Sequence, residues 1–292
     1  MFGFLPNNLF TGHRGANTTG LSPRLWGRVT GHMMASDGDK RLFLVGDDFA
    51  AIHHAGTMTD LHSEMPYVLY ADDTSNHSAT GATDEKGGVL QLAIDASAGA
   101  NEEIGIEAGD GTGQLLQISD TAADAHLTAF ECRVKWNHIT DAALTNGNIV
   151  SAIGLLGPGS NDGDVLTDTS GIPTAANHGI GFHVPLDDGD TVNFFYEAAS
   201  QTRVDAISDI AALTNDTFVK LGFIYDPDAD ASKRISVYVD NVLQSTYVTA
   251  TQIATATFPD AETLTFCAAM KSIAGSDNTE MSLDWWACAQ LI

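Results

Sequence analysis

Residues 218–242 read FVKLGFIYDPDADASKRISVYVDNV. Val219, Leu221, Phe223 and Tyr225 alternate along one run, and Ile235, Val237 and Val239 alternate along the next. A period of two places such residues on one face of a β-strand. The joining Asp226-Pro227-Asp228-Ala229-Asp230-Ala231-Ser232 holds the residues of a hairpin tip. There Asp side chains bond nearby amides and Pro fixes φ. Asp240-Asn241 predicts a second, tight turn. A calcium loop of EF-hand type needs Gly at its sixth position and Glu at its twelfth. Counted from Asp226, those positions hold Ala231 and Val237, so that reading fails. A glycosidase carboxylate pair belongs on rigid strands facing a cleft, about 5–10 Å apart. The stretch therefore reads as strand, hairpin, strand, tight turn, strand, with Asp226, Asp228 and Asp230 as solvated turn residues.

The same alternation extends outward. Strands are predicted at 42–45, 67–70, 88–95, 127–136, 149–155, 179–184 and 191–197, then at 218–225, 234–239, 242–248, 263–271 and 280–290. Helical patterns are scarce, with a turn or two at 121–126 and 250–255. Many short strands without intervening helices predict a sandwich of two antiparallel sheets over residues 42–292. Residues 1–41 show neither period and are rich in Gly, Asn and Thr with scattered aromatics. They read as an extended N-terminal arm.

Charge divides the chain at the same point. Of 292 residues, 13 are Lys or Arg and 38 are Asp or Glu, a net −25. The arm holds Arg14, Arg24, Arg28, Lys40 and Arg41 against Asp37 and Asp39, a net +3 that leaves −28 for the body. A body this acidic repels nucleic acid and anionic membranes. No apolar run approaches the ~18 residues of a membrane span. MFGFLPNNLF lacks the basic start of a signal peptide. Cys132, Cys267 and Cys288 are odd in number and widely spaced, which predicts reduced, buried thiols made in a reducing cytoplasm. A chain this long buries roughly 75% of its extended surface and needs no disulfide or metal to fold.

The order of the pieces carries a resemblance. FVKLGFIYDPDADASKRISVYVDNV, FPDAETLTFCAAMKS and MSLDWWACAQ resemble the C-terminal half of the concanavalin A-like jelly roll. GDDFA (46–50), KGGVLQLAI (86–94), LTAFECRVKW (127–136) and HGIGFHV (178–184) are similar to a group within that fold, the structural proteins of tailed bacteriophages. The resemblance covers about residues 46–290. It implies a concanavalin A-like sandwich that decorates or cements a capsid, or serves as a head fibre.

Fold alone does not decide function. Glycanases of this fold resemble one another in an E-x-D-x-x-E strand, and this chain has none. Glu131, beside Arg133, reads as half of an ion pair. His53-His54 and His178/His183 have spacings that diverge on a strand, so no metal site is predicted. In the alternating last strand Met281, Leu283, Trp285 and Ala287 share one face, and Ser282, Asp284, Trp286 and Cys288 share the other. One Trp is expected in the core and the other under a loop or a neighbour. GDGTG (109–113) and LGPGSNDGD (156–164) read as turns, since neither carries a phosphate-loop Lys.

The expectation is a non-enzymatic virion protein without cofactors, made in the host cytoplasm and placed on the capsid exterior. Its partners would be the major capsid protein and copies of itself, a trimer by resemblance. The arm would grip the shell through Phe2, Phe4, Leu5, Phe10, Arg14, Arg24, Trp26 and Arg28, the residue types that dominate binding energy. The alternative is a carbohydrate-binding module of a phage fibre, reading bacterial surface glycan with Trp286 as platform; a divergent glycanase comes third.

Overall fold

Alternating apolar residues become strands wherever the structure describes the chain, which is residues 20–35, 41–49, 53–54, 61–62, 66–72, 75–81, 88–95, 98–109, 115–121, 124–137, 149–159, 165–167, 177–186, 191–273 and 278–292 of a computed structural model. The strands are β1 (Leu42–Asp47), β2 (His53–His54), β3 (Leu61–His62), β4 (Pro66–Ala71), β5 (His77–Gly81), β6 (Leu90–Ile94), β7 (Glu102–Ala108), β8 (Leu116–Ile118) and β9 (Thr128–Trp136). They continue as β10 (Ile149–Leu156), β11 (Gly179–Val184), β12 (Thr191–Glu197), β13 (Val204–Ala212), β14 (Val219–Tyr225), β15 (Ile235–Val239), β16 (Val242–Val248), β17 (Glu262–Ser272) and β18 (Thr279–Leu291). Two helices, α1 (Pro23–Ala35) and α2 (Ala250–Ile253), accompany them.

The first sheet runs β16-β15-β14-β9-β18-β6-β5, with β1 alongside the second half of β18. The second runs β13-β12-β11-β10-β17-β7-β4-β3-β2, with β8 on the start of β17. Sequence-distant strands are neighbours in both sheets, as the crossovers of a jelly roll require. Gly154 and Gly181 face each other across β10 and β11. A Cβ on Gly181 would lie 2.5 Å from the Ile153 carbonyl oxygen, so this crossing needs glycine.

The core lies between the sheets. Phe130, Phe182, Phe194, Phe223 and Phe266 are all fully buried there. Each such side chain contributes about 1.5–3 kcal/mol on leaving water. Trp286 joins them: its ring stacks on Phe266 at 4.3 Å, and its Nε1 donates to the Tyr67 hydroxyl at 2.8 Å. Tyr67 in turn donates to Asp47 at 3.0 Å. The three cysteines are buried, and burial pushes their thiols up.

The decisive stretch folds as read. β14 and β15 pair from Leu221↔Val239 to Tyr225↔Ile235. Asp240 and Asn241 take φ values of 47° and 66°, the positive pair a two-residue hairpin demands. Within the longer tip, Asp226 accepts the Asp228 amide at 3.0 Å and Asp230 accepts the Ser232 amide at 2.8 Å. The expectation that all three aspartates are solvated needs correction. Asp228 and Asp230 are exposed, but Asp226 is buried, because an arginine from the N-terminal segment lies over it.

Two further expectations change. Residues 23–35 of the segment expected to be extended form helix α1. On β18 the register shifts between Leu283 and Trp285, so Asp284 is an extra residue. That bulge reverses the alternation. Met281, Leu283, Trp286 and Cys288 point into the core, while Trp285, Ala287, Ala289 and Leu291 point outward.

Candidate functional site

The outward side of the first sheet is floored by small and apolar residues: Ala129, Ala287, Ala289, Ile224 and Trp285. Helix α1 lies on it. Ser22 precedes the first helical residue and Pro23 occupies it, which suits Pro because its fixed φ matches the helix and its missing N–H is not needed there. Leu21, Leu25, Trp26 and Val29 form one buried cluster with the sheet residues. Gly222 on β14 leaves the hollow that Leu25 fills; a Cβ there would lie 2.6 Å from Leu25 Cδ1.

The sandwich supplies the hydrogen bonds that the helix start lacks. Glu131 Oε2 accepts the Ser22 amide at 2.9 Å and the Trp26 indole Nε1 at 2.8 Å. Asn241 Oδ1 accepts the Arg24 amide at 2.9 Å. A carboxylate at a helix N-terminus meets unpaired N–H groups and the positive end of the dipole. Burial pushes the Glu131 carboxyl up, opposed by those hydrogen bonds and by Lys220. Lys220 donates from Nζ to the Gly20 carbonyl at 3.1 Å. Further along, Arg28 pairs with Asp226 at 3.2 Å and donates to the Ser236 and Tyr238 hydroxyls at 3.0 and 3.3 Å.

These contacts revise the predicted sites. Trp26 and Arg28, expected to grip a partner, grip the chain's own body. Arg24 holds by its amide and is itself exposed. Phe2, Phe4, Leu5, Phe10 and Arg14 lie outside the described residues. Glu131 serves the helix rather than Arg133, which pairs with Asp284 and lies 3.9 Å over the Phe218 ring. Trp286 is fully buried, so it offers no platform to a sugar, and Trp285 is covered on the helix side.

The outward side of the second sheet is also occupied, and there a buried apolar cluster of Val150, Ala152, Leu156, Val165, Leu166, Phe195, Cys267 and Ala269 lies beside buried charged groups. Glu103 and Lys271, both fully buried, pair at 3.3 Å across β7 and β17. Glu103 accepts the Val165 and Leu166 amides at 2.7 and 3.1 Å, and Lys271 donates to the Leu166 carbonyl at 2.8 Å. Glu107 accepts the Gly159 amide at 2.9 Å. The carboxylates thus fix the chain at Gly159 and at Val165–Leu166 across the sheet. Glu103 and Glu107 stand four residues apart on one strand, about 13 Å along it, which is wide for a glycosidase pair.

Nearer the β13 edge, His183 Nε2 meets Asp205 Oδ1 at 2.9 Å, and Arg203 donates to Asp205 Oδ2 at 2.9 Å. Burial pulls the His183 imidazole down, although Asp205 opposes this. Burial pushes Asp205 up, but His183 and Arg203 outweigh it and hold the carboxyl below the usual range. Glu197, 2% exposed, is pushed up to about 7 by burial, and among the described residues its Oε2 has no hydrogen-bond partner. His178 accepts the Ala199 amide at 3.1 Å and approaches Glu262 at 3.3 Å. Both histidines are thus bonded to nearby groups, with His183 buried. Among the described residues no three of His, Cys, Asp and Glu gather to hold a metal. Among them also, no helix is long and apolar enough to cross a membrane.

No protein-family model matches the chain, and no curated protein matches it. Solved structures do. A protein of unknown function from Shewanella oneidensis MR-1 aligns at 13% identity and TM-score 0.52, covering 93% of this chain and 95% of that one. The carbohydrate recognition domain of Emp47p aligns at 12% identity and TM-score 0.50, covering 87% and 98%. Peanut lectin aligns at 13% identity and TM-score 0.49, covering 86% and 99%. Identities this low speak to architecture alone: the chain has the concanavalin A-like jelly-roll sandwich.

Proposed function

We propose that this protein is a non-enzymatic structural protein of a bacteriophage virion, attached to the outside of the capsid and acting by adhesion. The observation that carries the adhesive reading is that both outward sides of the sandwich are occupied by the chain's own segments. Helix α1 lies on one, and Gly159, Val165 and Leu166 are fixed on the other by Glu103, Glu107 and Lys271. Carboxylates that accept backbone amides are committed to holding structure and are poorly placed for acid–base chemistry. The phage assignment rests on the sequence resemblance. With α1 fixed to the body, gripping the shell falls to residues 1–19, which carry Phe2, Phe4, Leu5, Phe10 and Arg14. Apolar and aromatic anchors beside an arginine suit a capsid subunit of mixed surface. Several copies in a homo-oligomer, a trimer by resemblance, would strengthen attachment through effective concentration.

The test is a shell-binding assay with undecorated capsids. The full chain should bind saturably, and a chain starting at residue 20 should fold but bind far more weakly. Undiminished binding by the shortened chain contradicts the assignment of attachment to residues 1–19. A second reading, a carbohydrate-binding module, draws on the architecture shared with the Emp47p domain. With Trp286 buried, saturable binding to bacterial surface polysaccharide in place of shells would move the function to an exposed surface elsewhere on the body. Release of reducing sugar is expected from neither.

A further inference from the structure

Two contacts between the sheets fix which residues face each other across the core. Phe266 on β17 stacks on Trp286 of β18, and His77 Nε2 on β5 stands 4.0 Å from Glu102 Oε2 on β7. His77 shares a level of the first sheet with Ile94 and Thr279, and Glu102 shares one of the second with Ser272 and Ile149. Between these two fixed levels, β18 turns Leu283 and Met281 inward, and β17 turns Ala268 and Met270 inward. The Met281 level, which includes Trp136 of β9, therefore faces the Met270 level, which includes Ser151 of β10. Sideways, Phe182 of β11 meets Phe223 of β14, so β10 lies over β9 as β17 lies over β18. Ser151 and Trp136 thus face each other. Thr279 is the next inward residue on β18, diagonal to Trp136 and about 7–8 Å from it along the sheet.

All three carry a polar atom into this end of the core. Ser151 and Thr279 are fully buried and Trp136 is 2% exposed. Among the described residues, the Trp136 indole Nε1, the Ser151 hydroxyl and the Thr279 hydroxyl make no hydrogen bond. Their inward neighbours Ile94, Met281, Met270 and Ile149 are apolar and offer none. Native interiors pair nearly all buried polar groups, either with the chain or with ordered water.

We propose that a water molecule is bound inside the sandwich between Trp136, Ser151 and Thr279, and that it ties β9 and β18 of the first sheet to β10 of the second. The indole N–H only donates, while each hydroxyl donates or accepts. A water oxygen accepts the indole proton, and its remaining sites serve the two hydroxyls. That gives the three hydrogen bonds usual for an internal water. A cation would meet an N–H donor and no carboxylate among these three residues. An anion would have to shed its hydration inside an apolar core, in a chain of net charge −25. A larger organic molecule exceeds the gaps that a close-packed interior leaves. The site lies within the body and is independent of how the protein attaches to a capsid.

The experiment has two arms, both on the full chain. A high-resolution crystal structure should show one ordered density peak within hydrogen-bond distance of Trp136 Nε1, Ser151 Oγ and Thr279 Oγ1. The second arm is Thr279→Val, which keeps the branched shape and removes the hydroxyl. If water pairs that hydroxyl, chemical denaturation should show the unfolded-to-folded ratio rising about fivefold. If the hydroxyl is simply unpaired, the same change relieves a buried polar group and the ratio falls. The absence of a peak, an indole bonded directly to a protein oxygen, or a Thr279→Val protein at least as stable as the parent would overturn the proposal.

Discussion

The two outward sides of this sandwich solve one problem by opposite means. On the first sheet the cover is a helix, held by Leu21, Leu25, Trp26 and Val29 on a floor of alanines, with polar contacts at its start and from Arg28. On the second sheet the cover is irregular chain, whose Val165 and Leu166 pack on an apolar patch of the sheet while a fully buried Glu103–Lys271 pair satisfies their backbone amides and a carbonyl. A helix closes its own backbone hydrogen bonds and can rest on apolar surface. Irregular chain cannot, so its N–H and C=O groups must find partners on the sheet. The side that buries a charge pair is therefore predicted to be the more fragile to single substitutions, and the helix-covered side the more graded.

The largest expected effect comes from breaking the buried pair. Lys271→Met leaves Glu103 buried without its cation and should destabilise by about 3–5 kcal/mol in chemical denaturation. The double variant Lys271→Met with Glu103→Gln should recover part of that loss. Next, Trp26→Ala removes a buried indole and its bond to Glu131; about 3 kcal/mol should be lost, with a rise in exposed apolar surface as α1 loosens. A smaller effect is pH-dependent. Glu197 has its folded pKa raised to about 7, so its contribution to stability is full below the ordinary carboxylate value of 4.5 and declines as pH rises toward 7. Glu197→Gln should flatten the melting profile over that window and stabilise the protein above pH 7 by about 1–2 kcal/mol. The smallest contrast lies within one hairpin. Asp226→Asn should cost about 1 kcal/mol through Arg28, whereas Asp230→Ala at the exposed tip should stay within ~0.5 kcal/mol.

What the sequence revealed follows from the range of each interaction. The strand pair of 218–242 and its Asp240-Asn241 turn were legible because alternation and positive-φ residues act locally. Helix α1 was missed because Gly27, Gly31, Val29 and Thr30 dilute helical propensity. Its signals were present in Ser22-Pro23 and in the four-residue spacing of Leu21, Leu25 and Val29. The faces of β18 were grouped wrongly beyond Leu283 because one bulge at Asp284 shifts every residue after it to the other side. The burial of Asp226 depends on Arg28, and the role of Glu131 on Ser22 and Trp26, residues over a hundred positions away. No local pattern announces such pairings.

Amide hydrogen exchange on the free, full-length protein tests most directly whether both outward sides are closed by the chain itself. The account predicts slow exchange for the Trp26 amide, which donates to the Ser22 carbonyl, and for the Gly159, Val165 and Leu166 amides held by Glu107 and Glu103. Exchange of either set at the rate of an open loop would contradict it.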